Sequence, residues 1–269
     1  MTFSIVARDG HQWGVAVASK FLAVGAYVPA ARANAGALAT QAMANLAYKS
    51  DGLHLLRQGR AAAEVVAALL DPDEEREHRQ VGVVGTETAS SFTGAKCIPW
   101  AGHRIGDDYA IQGNCLAGPE VVHEAERALA RADGPLSRRL LAALTAADDA
   151  GGDKRGRQSA ALLVVEHEGG YGGGSDVLVD LRVDDDPAPI PELARLLDLH
   201  DLYFGKPDPA TLIPWDEVAS EVTDLLKGLG YEGDEAFDQW VGTENYEERT
   251  VPGAIDPLVL DRLRAQAKG

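Results

Sequence analysis

Thr2-Phe3-Ser4-Ile5-Val6-Ala7-Arg8-Asp9, directly behind Met1, is the stretch whose reading decides the fold. Phe3, Ile5 and Ala7 alternate at the period of a β-strand. Asp9-Gly10 is a turn signal, and Trp13 to Ala18 resumes an apolar strand, so the opening predicts a hairpin. Most domains start with loose residues, whereas this strand begins almost at the first atom. Loss of Met1 would leave Thr2 with a free α-amine beside its own hydroxyl. Nucleophile and general base would then share one residue, and an α-amine titrates near about 8. The simpler account of these residues alone is an edge strand whose second residue is Thr.

Outward from the hairpin, residues 26–32 and 36–41 read as a second strand pair. Two helical patterns follow, over 45–57 and 61–70, with Ala, Leu and Val at three- and four-residue spacing. Residues 80–85 and 90–93 read as another hairpin, 94–108 as irregular chain and 109–112 as a strand. Helices are expected over 119–131, where Pro119 opens the first turn, and over 136–149. Residues 158–166 form an apolar run suited to a strand buried on both faces, and 176–183 the returning strand. Prolines 187, 189 and 191 lead into a helix ending near Phe204. Strands, two helices, strands, two helices, strands: this order predicts an α+β fold, a sandwich of two sheets with helical layers outside. Gly205-Lys206-Pro207-Asp208-Pro209 reads as a linker. It divides residues 1–205 from a small helical module, 206–269, with helical patterns over 215–227, 234–241 and 257–267.

The 269 residues carry 42 acidic against 25 basic side chains, a formal charge of -17. Nucleic acid and anionic membrane both demand a cationic face, so neither is an expected partner. No window approaches eighteen apolar residues and no secretory signal is visible, which predicts a cytoplasmic protein. Two cysteines are too few for a disulfide framework and no Cys/His spacing suggests zinc. Neither metal nor cofactor is expected. Gly- and Ala-rich strands and helices leave room for close subunit packing, so a homo-oligomer is expected.

Three strand ends carry polar residues where chemistry could sit. In Ala39-Thr40-Gln41-Ala42-Met43-Ala44-Asn45, backbone N–H groups and the Gln41 or Asn45 amides could polarise a carbonyl oxygen; alternatively Asn45 only caps a helix. In Gly113-Asn114-Cys115-Leu116-Ala117-Gly118, the Asn114 amide is an uncharged oxyanion donor or a turn former. Cys115 pairs with no His in any motif and reads as a buried structural thiol. In Gly151-Gly152-Asp153-Lys154-Arg155-Gly156-Arg157-Gln158-Ser159, cations crowd a glycine-rich loop before a buried strand. That density suits a carboxylate or phosphate ligand, or a solvated loop. Ser19-Lys20 ends the second strand and could face Thr2 across the hairpin, or face water.

Thr2–Asp9, Gly14-Val15-Ala16-Val17-Ala18-Ser19, Ala39-Thr40-Gln41-Ala42, Gly113-Asn114-x-Leu116-Ala117-Gly118 and Gly152-Asp153-x-Arg155-Gly156-x-Gln158-Ser159-Ala160-Ala161 together resemble the bacterial domain of unknown function 1028 family. The likeness covers roughly residues 1 to 205 in five collinear motifs. That family is placed among the N-terminal nucleophile hydrolases, so the resemblance implies a four-layer αββα sandwich related to proteasome β subunits. It implies Thr2 as nucleophile, with the oxyanion held by backbone near Gln41 and by Asn114. Asp153, Ser19 or Arg32 would tune the amine. Arg155 and Arg157 would orient a substrate carboxylate, with Asn45 and Gln158 nearby. The superfamily's lysine beside the nucleophile has Lys20 or Arg32 as its equivalent here. The activity implied is hydrolysis of a C–N amide-type bond in a small amide or ureido compound. The alternatives are a non-enzymatic binding protein on a hydrolase fold and a cell-wall peptide hydrolase. Residues 215–263, with Gly230-Tyr231-Glu232-Gly233 and Trp240-Val241-Gly242-Thr243-Glu244-Asn245, resemble a short peptidoglycan-binding module. The lack of an export signal sits badly with that role, and the binding function is not carried over.

Overall fold

The computed structural model describes residues 2–268. Contacts divide the chain at Arg195/Leu196 into two compact units, where the sequence predicts a boundary at 205/206. The first unit opens with β1 (Thr2–Asp9) and β2 (Gln12–Ser19), then a single turn α1 (Val24–Tyr27), β3 (Pro29–Arg32) and β4 (Gly36–Ala42). Helices α2 (Ala47–Arg57) and α3 (Ala62–Leu70) follow, then β5 (Arg79–Val84), β6 (Ala89–Thr93), β7 (Gly102–Ile105) and β8 (Tyr109–Asn114). Next come α4 (Glu120–Arg131), α5 (Leu136–Asp149), β9 (Ser159–Val165), β10 (Val177–Val183) and α6 (Pro189–Phe204), which contains the division.

Two expectations are corrected. Residues 26–28 are not strand: the turn α1 reaches Tyr27, and Val28 N bonds to Val24 O. The segment 94–108 is not wholly irregular, because β7 adds an edge strand against β8, pairing Gly102 with Gly113. The apolar pattern of Gly102-His103-Arg104-Ile105 is weak because this short strand is largely exposed.

One sheet has six strands in the order β10-β9-β2-β1-β8-β7, the other four in the order β3-β4-β5-β6, and every pairing is antiparallel. Helices α4 and α5 cover the outer face of the larger sheet, α2 and α3 that of the smaller, and the two sheets pack face to face. This is a four-layer αββα sandwich. The opening hairpin lies at its centre, with Phe3 opposite Ala18 and Asp9 opposite Gln12. Gly10 makes the two-residue turn possible at φ 55°.

Strand alternation sorts the interior. Val6, Val15, Val17, Ala37, Ala39, Val84 and Ala110 pack between the sheets, each of the larger side chains contributing about 1.5–3 kcal/mol on burial. Leu38, Leu56, Val65, Leu69, Val81 and Val83 fill the layer under α2 and α3. Toward the end of β1 where the chain starts, the space between the sheets turns polar. Thr2, Ser4, Gln41, Gln80, Gln112 and Asn114 are all buried there.

The second unit holds β11 (Ile213–Pro214), α7 (Trp215–Gly228), α8 (Ala236–Glu244), β12 (Ala254–Ile255) and α9 (Pro257–Gln266). Its core is built on the fully buried Trp240 with Val222, Leu226, Leu260 and Leu263. The three helices fall close to the expected patterns. No helix among the described residues is long and apolar enough to cross a membrane.

Candidate active site

Thr2 begins the central strand and pairs with Asn114 of β8. Its side chain is 4% exposed, and its Oγ1 lies 3.1 Å from the buried Ser19 Oγ at the end of β2. Among the described residues no carboxylate or imidazole is hydrogen-bonded to that hydroxyl. Removal of Met1, on which the sequence reading depends, lies outside the described residues.

Beneath Thr2, a layer of carboxamides ties the two sheets together. Gln41 Nε2 donates to Thr2 O at 3.3 Å, Gln112 O at 3.3 Å and Gln80 Oε1 at 2.8 Å. Gln41 Oε1 accepts from Ser4 Oγ at 2.6 Å, and Gln112 Nε2 donates to that same hydroxyl at 2.7 Å. Gln80 Nε2 donates to Thr93 Oγ1, Gly102 O and Gly113 O. Asn114 Nδ2 donates to Gln80 Oε1 at 2.9 Å. Each buried carboxamide would cost about 1–3 kcal/mol if left unsatisfied; here partners from opposite sheets satisfy one another and fix the site's floor. Gly82 is required beside this layer, since a Cβ there would sit 2.0 Å from Gln112 Oε1.

The strands carrying Gln41 and Asn114 end alike. Ala42 has φ 70° and Cys115 φ 54°, a left-handed conformation that costs a non-glycine residue about 1–2 kcal/mol. Cys115 N bonds to Ile98 O and Leu116 N to Trp100 O, fastening the 96–100 loop beside Asn114. Between these ends lies a cavity of about 400 Å³ lined by Ala42, Met43, His78, Lys96, Cys97, Ile98 and Asn114. Burial pushes the Cys97 thiol pKa up, so the sulfur stays protonated and donates to Arg79 O at 3.3 Å.

Asp153 closes the opposite side. Its side chain is 1% exposed; Oδ2 accepts from Lys20 N at 2.9 Å and from Arg155 Nη2 at 2.7 Å, while Oδ1 accepts from Arg155 N and Nε. Leu116 bridges to Asp153 and Ala117 N bonds to Gly152 O, which locks the loop against the end of β8.

Thr2, Ser19, Gln41, Asn114 and Asp153 are therefore brought to one end of the sandwich. Gln41, however, is committed by its side chain to the carboxamide layer and does not line the cavity. Arg32 is not brought there. It pairs with Gly36, at the far end of β4 from Gln41, and so does not adjoin the amine of Thr2. Asn45 accepts from Ala47 N and donates to Asp73 Oδ2, a helix-start role. Arg155 is held on Asp153, Arg157 chelates Asp148 through Nε at 2.9 and 2.7 Å, and Gln158 donates to Asp185. All three point to the chain's own carboxylates. Ser4, Gln80 and Gln112 were missed in the sequence; the signal was there, as polar residues at alternate, inward positions of otherwise apolar strands. Lys96 and Cys97 come from a loop and His78 from the single 3-10 turn Arg76–His78, segments that carry no such periodicity. Among the described residues no group of three or more His, Cys, Asp or Glu is arranged to hold a metal ion.

The sequence pattern of the family described as "Family of unknown function (DUF1028)" matches residues 2–193. The chain belongs to the DUF1028 family. Residues 203–263 match a second pattern, "Putative peptidoglycan binding domain". Among solved structures, the DUF1028 protein SPO2555 from Silicibacter pomeroyi is 31% identical, with a TM-score of 0.68 over 74% of this chain and 89% of that one. Eukaryotic HslV from Trypanosoma brucei is 14% identical, with a TM-score of 0.38 over 62% of this chain and all of that one. No curated protein matches the chain. In this DUF1028 chain the five motifs read from the sequence are the strand ends and the loop that surround Thr2.

Proposed function

We propose that the chain is an N-terminal nucleophile amidohydrolase acting through Thr2 on a small amide or ureido compound. The observation that carries this reading is the position of Thr2: a buried hydroxyl 3.1 Å from Ser19 Oγ, on a strand residue paired with Asn114, which lines the cavity. The sandwich of the N-terminal nucleophile hydrolases, with the nucleophile at the first residue of a central strand, is the architecture in which such a threonine works.

With Met1 removed, the α-amine of Thr2 is the general base. It takes the Oγ1 proton as oxygen attacks the amide carbon, and a C–O bond forms. Asn114 has one amide proton on Gln80 and a second that can be given to the oxyanion. The C–N bond then breaks, the ammonium passes its proton to the leaving nitrogen, and an amine or ammonia departs. Water attacks the ester, giving its proton to the same amine, and the acid is released with Thr2 restored. Ser19 orients the hydroxyl, and Asp153 anchors Lys20 N next to Ser19.

Intact-mass spectrometry of the active protein, together with an ammonia-release screen of wild type and Thr2→Ala, tests the reading. A mass lower by one Met and turnover abolished by Thr2→Ala are expected. Full retention of Met1 in active protein sinks the Thr2 mechanism.

A further inference from the structure

The cations nearest the candidate site are held in two ways. Several arginines rest on carboxylates: Arg8 on Asp108, Arg139 on Asp9 and, at the cavity edge, Arg79 on Asp73. Arg155 and Arg157, the residues expected to meet a substrate carboxylate, are neutralised in the same way by Asp153 and Asp148. The lysines are not: among the described residues none makes an ion pair with a carboxylate, Lys49 Nζ for instance donating to Ala26 O at 3.0 Å, and three of them lie at this end of the sandwich. Lys154 Nζ donates to the carbonyl of Pro99 at 2.8 Å, beside Ile98 in the cavity wall. Lys20 Nζ, one residue past the Ser19 that holds Thr2, donates to Arg157 O at 3.3 Å. Lys96 lines the cavity itself, and none of the three has a carboxylate within ion-pair distance among the described residues. A backbone carbonyl orients an ammonium without cancelling its charge. In a chain of formal charge -17, Lys96 and Lys154 thus bring ammonium groups to the cavity without a direct carboxylate partner. Two acids lie nearby without reaching Lys96 at ion-pair distance: Glu77 accepts from Ala95 N, and Glu75 lies 3.6 Å from His78 Nε2. The rest of the cavity lining combines the polar His78 and Asn114 with small or apolar side chains, of which Met43 is 59% and Ile98 48% exposed.

We infer that the substrate is an amide or ureide bearing a carboxylate, recognised by Lys96 in the cavity and by Lys154 beside it. This rests on the Thr2 amidohydrolase reading and names its substrate class. It also moves anion recognition from the two arginines of the glycine-rich loop to the lysines. An ammonium meets a carboxylate as a point charge without bidentate geometry, and a partly desolvated cleft strengthens the attraction.

Two matched pairs of probes test it: N-acetylglycine against N-ethylacetamide, and N-carbamoylglycine against ethylurea. Turnover is measured on the wild type, and binding by ligand-observed NMR on the Thr2→Ala protein. The carboxylated member of one pair is expected to be turned over with kcat/KM at least about 100-fold above its neutral partner. That preference is expected to fall about 10-fold or more in Lys96→Gln/Lys154→Gln, and to survive in Lys154→Arg. Equal turnover of charged and neutral members overturns the inference and leaves the amidohydrolase reading standing. Lysine-dependent binding of a carboxylated probe with no turnover of any probe keeps the recognition and removes the amidohydrolase reading. Binding of no carboxylated probe, or binding indifferent to the lysine substitutions, overturns the inference.

Discussion

Thr2 Oγ1 and Ser19 Oγ sit 3.1 Å apart, both buried, on neighbouring strands of the central hairpin. The contact aims the Thr2 hydroxyl, which among the described residues is hydrogen-bonded to no carboxylate or imidazole. Ser19→Ala should lower kcat/KM by about 10-fold or more, since 1.4 kcal/mol of orientation is a factor of about ten. Its stability should fall by only about 1 kcal/mol, the net value of one hydrogen bond. Steady-state kinetics beside thermal melts separate the two effects.

The carboxamide layer should be the least tolerant part of the interior. Gln80→Leu strands the donor Asn114 Nδ2, takes one of three acceptors from Gln41 Nε2 and removes the side-chain donor to Gly113 O. A loss of about 2–4 kcal/mol is expected. Gly82→Ala drives a methyl into Gln112 Oε1 and should cost about 1–3 kcal/mol. Denaturant melts of both variants check this, with unchanged m-values expected.

Asp73 makes part of the stability pH-dependent. The hydrogen bond from Arg79 holds its carboxyl well below the usual range, assisted by Tyr48 and Asn45, against the opposing effect of burial. A depressed folded value means stability that is complete above the unfolded value near about 4 and lost as pH falls below it. The stability difference between wild type and Asp73→Asn should therefore be largest near neutral pH and shrink below about pH 4. Urea melts from pH 3 to 7 measure it.

In the second unit, Arg249 Nη1 meets Asp256 Oδ2 at 2.6 Å with both side chains at most 7% exposed. Arg249 also donates to Leu202 O and Asp201 O, and Asp256 caps α9 through Leu258 N. Arg249→Met leaves Asp256 buried and unpaired, and should cost about 3–5 kcal/mol. Arg249→Met/Asp256→Leu should recover part of this. Melts followed by tryptophan fluorescence, which senses the buried Trp240 of this unit, report the change.

Much of the architecture was legible locally. The Phe3/Ile5/Ala7 alternation and Asp9-Gly10 marked the hairpin, and the three- and four-residue apolar spacing marked α2, α3, α4 and α5 close to their ends. Where local pattern was thin, the reading slipped. Ala26 to Val28 looked like strand but closes a helical turn, and β7 was invisible because an exposed edge strand need not alternate. At the site, Thr2, Ser19, Asn114 and Asp153 were legible as polar residues ending strands or opening the loop they face. Arg32 was misjudged because a β-hairpin carries its two ends apart: one end of β4 holds Gln41, the other faces Arg32. Arg155 and Arg157 were judged by charge alone, and charge does not reveal that Asp153 and Asp148 already occupy them.

The sequence by itself determined the layers, the order of strands and helices, and the threonine at the head of the central strand. It could do so because period 2 and period 3.6 are local properties that say which face of an element turns inward. Only the tertiary structure decided the level at which distant strands meet. The contacts Ser4–Gln41, Gln80–Asn114 and Ser4–Gln112 span 37, 34 and 108 residues. Periodicity fixes the face of a residue but not its height along the sheet. Long-range pairing sets that height, and with it the carboxamide floor, the cavity beside Asn114 and the lysines left without a carboxylate.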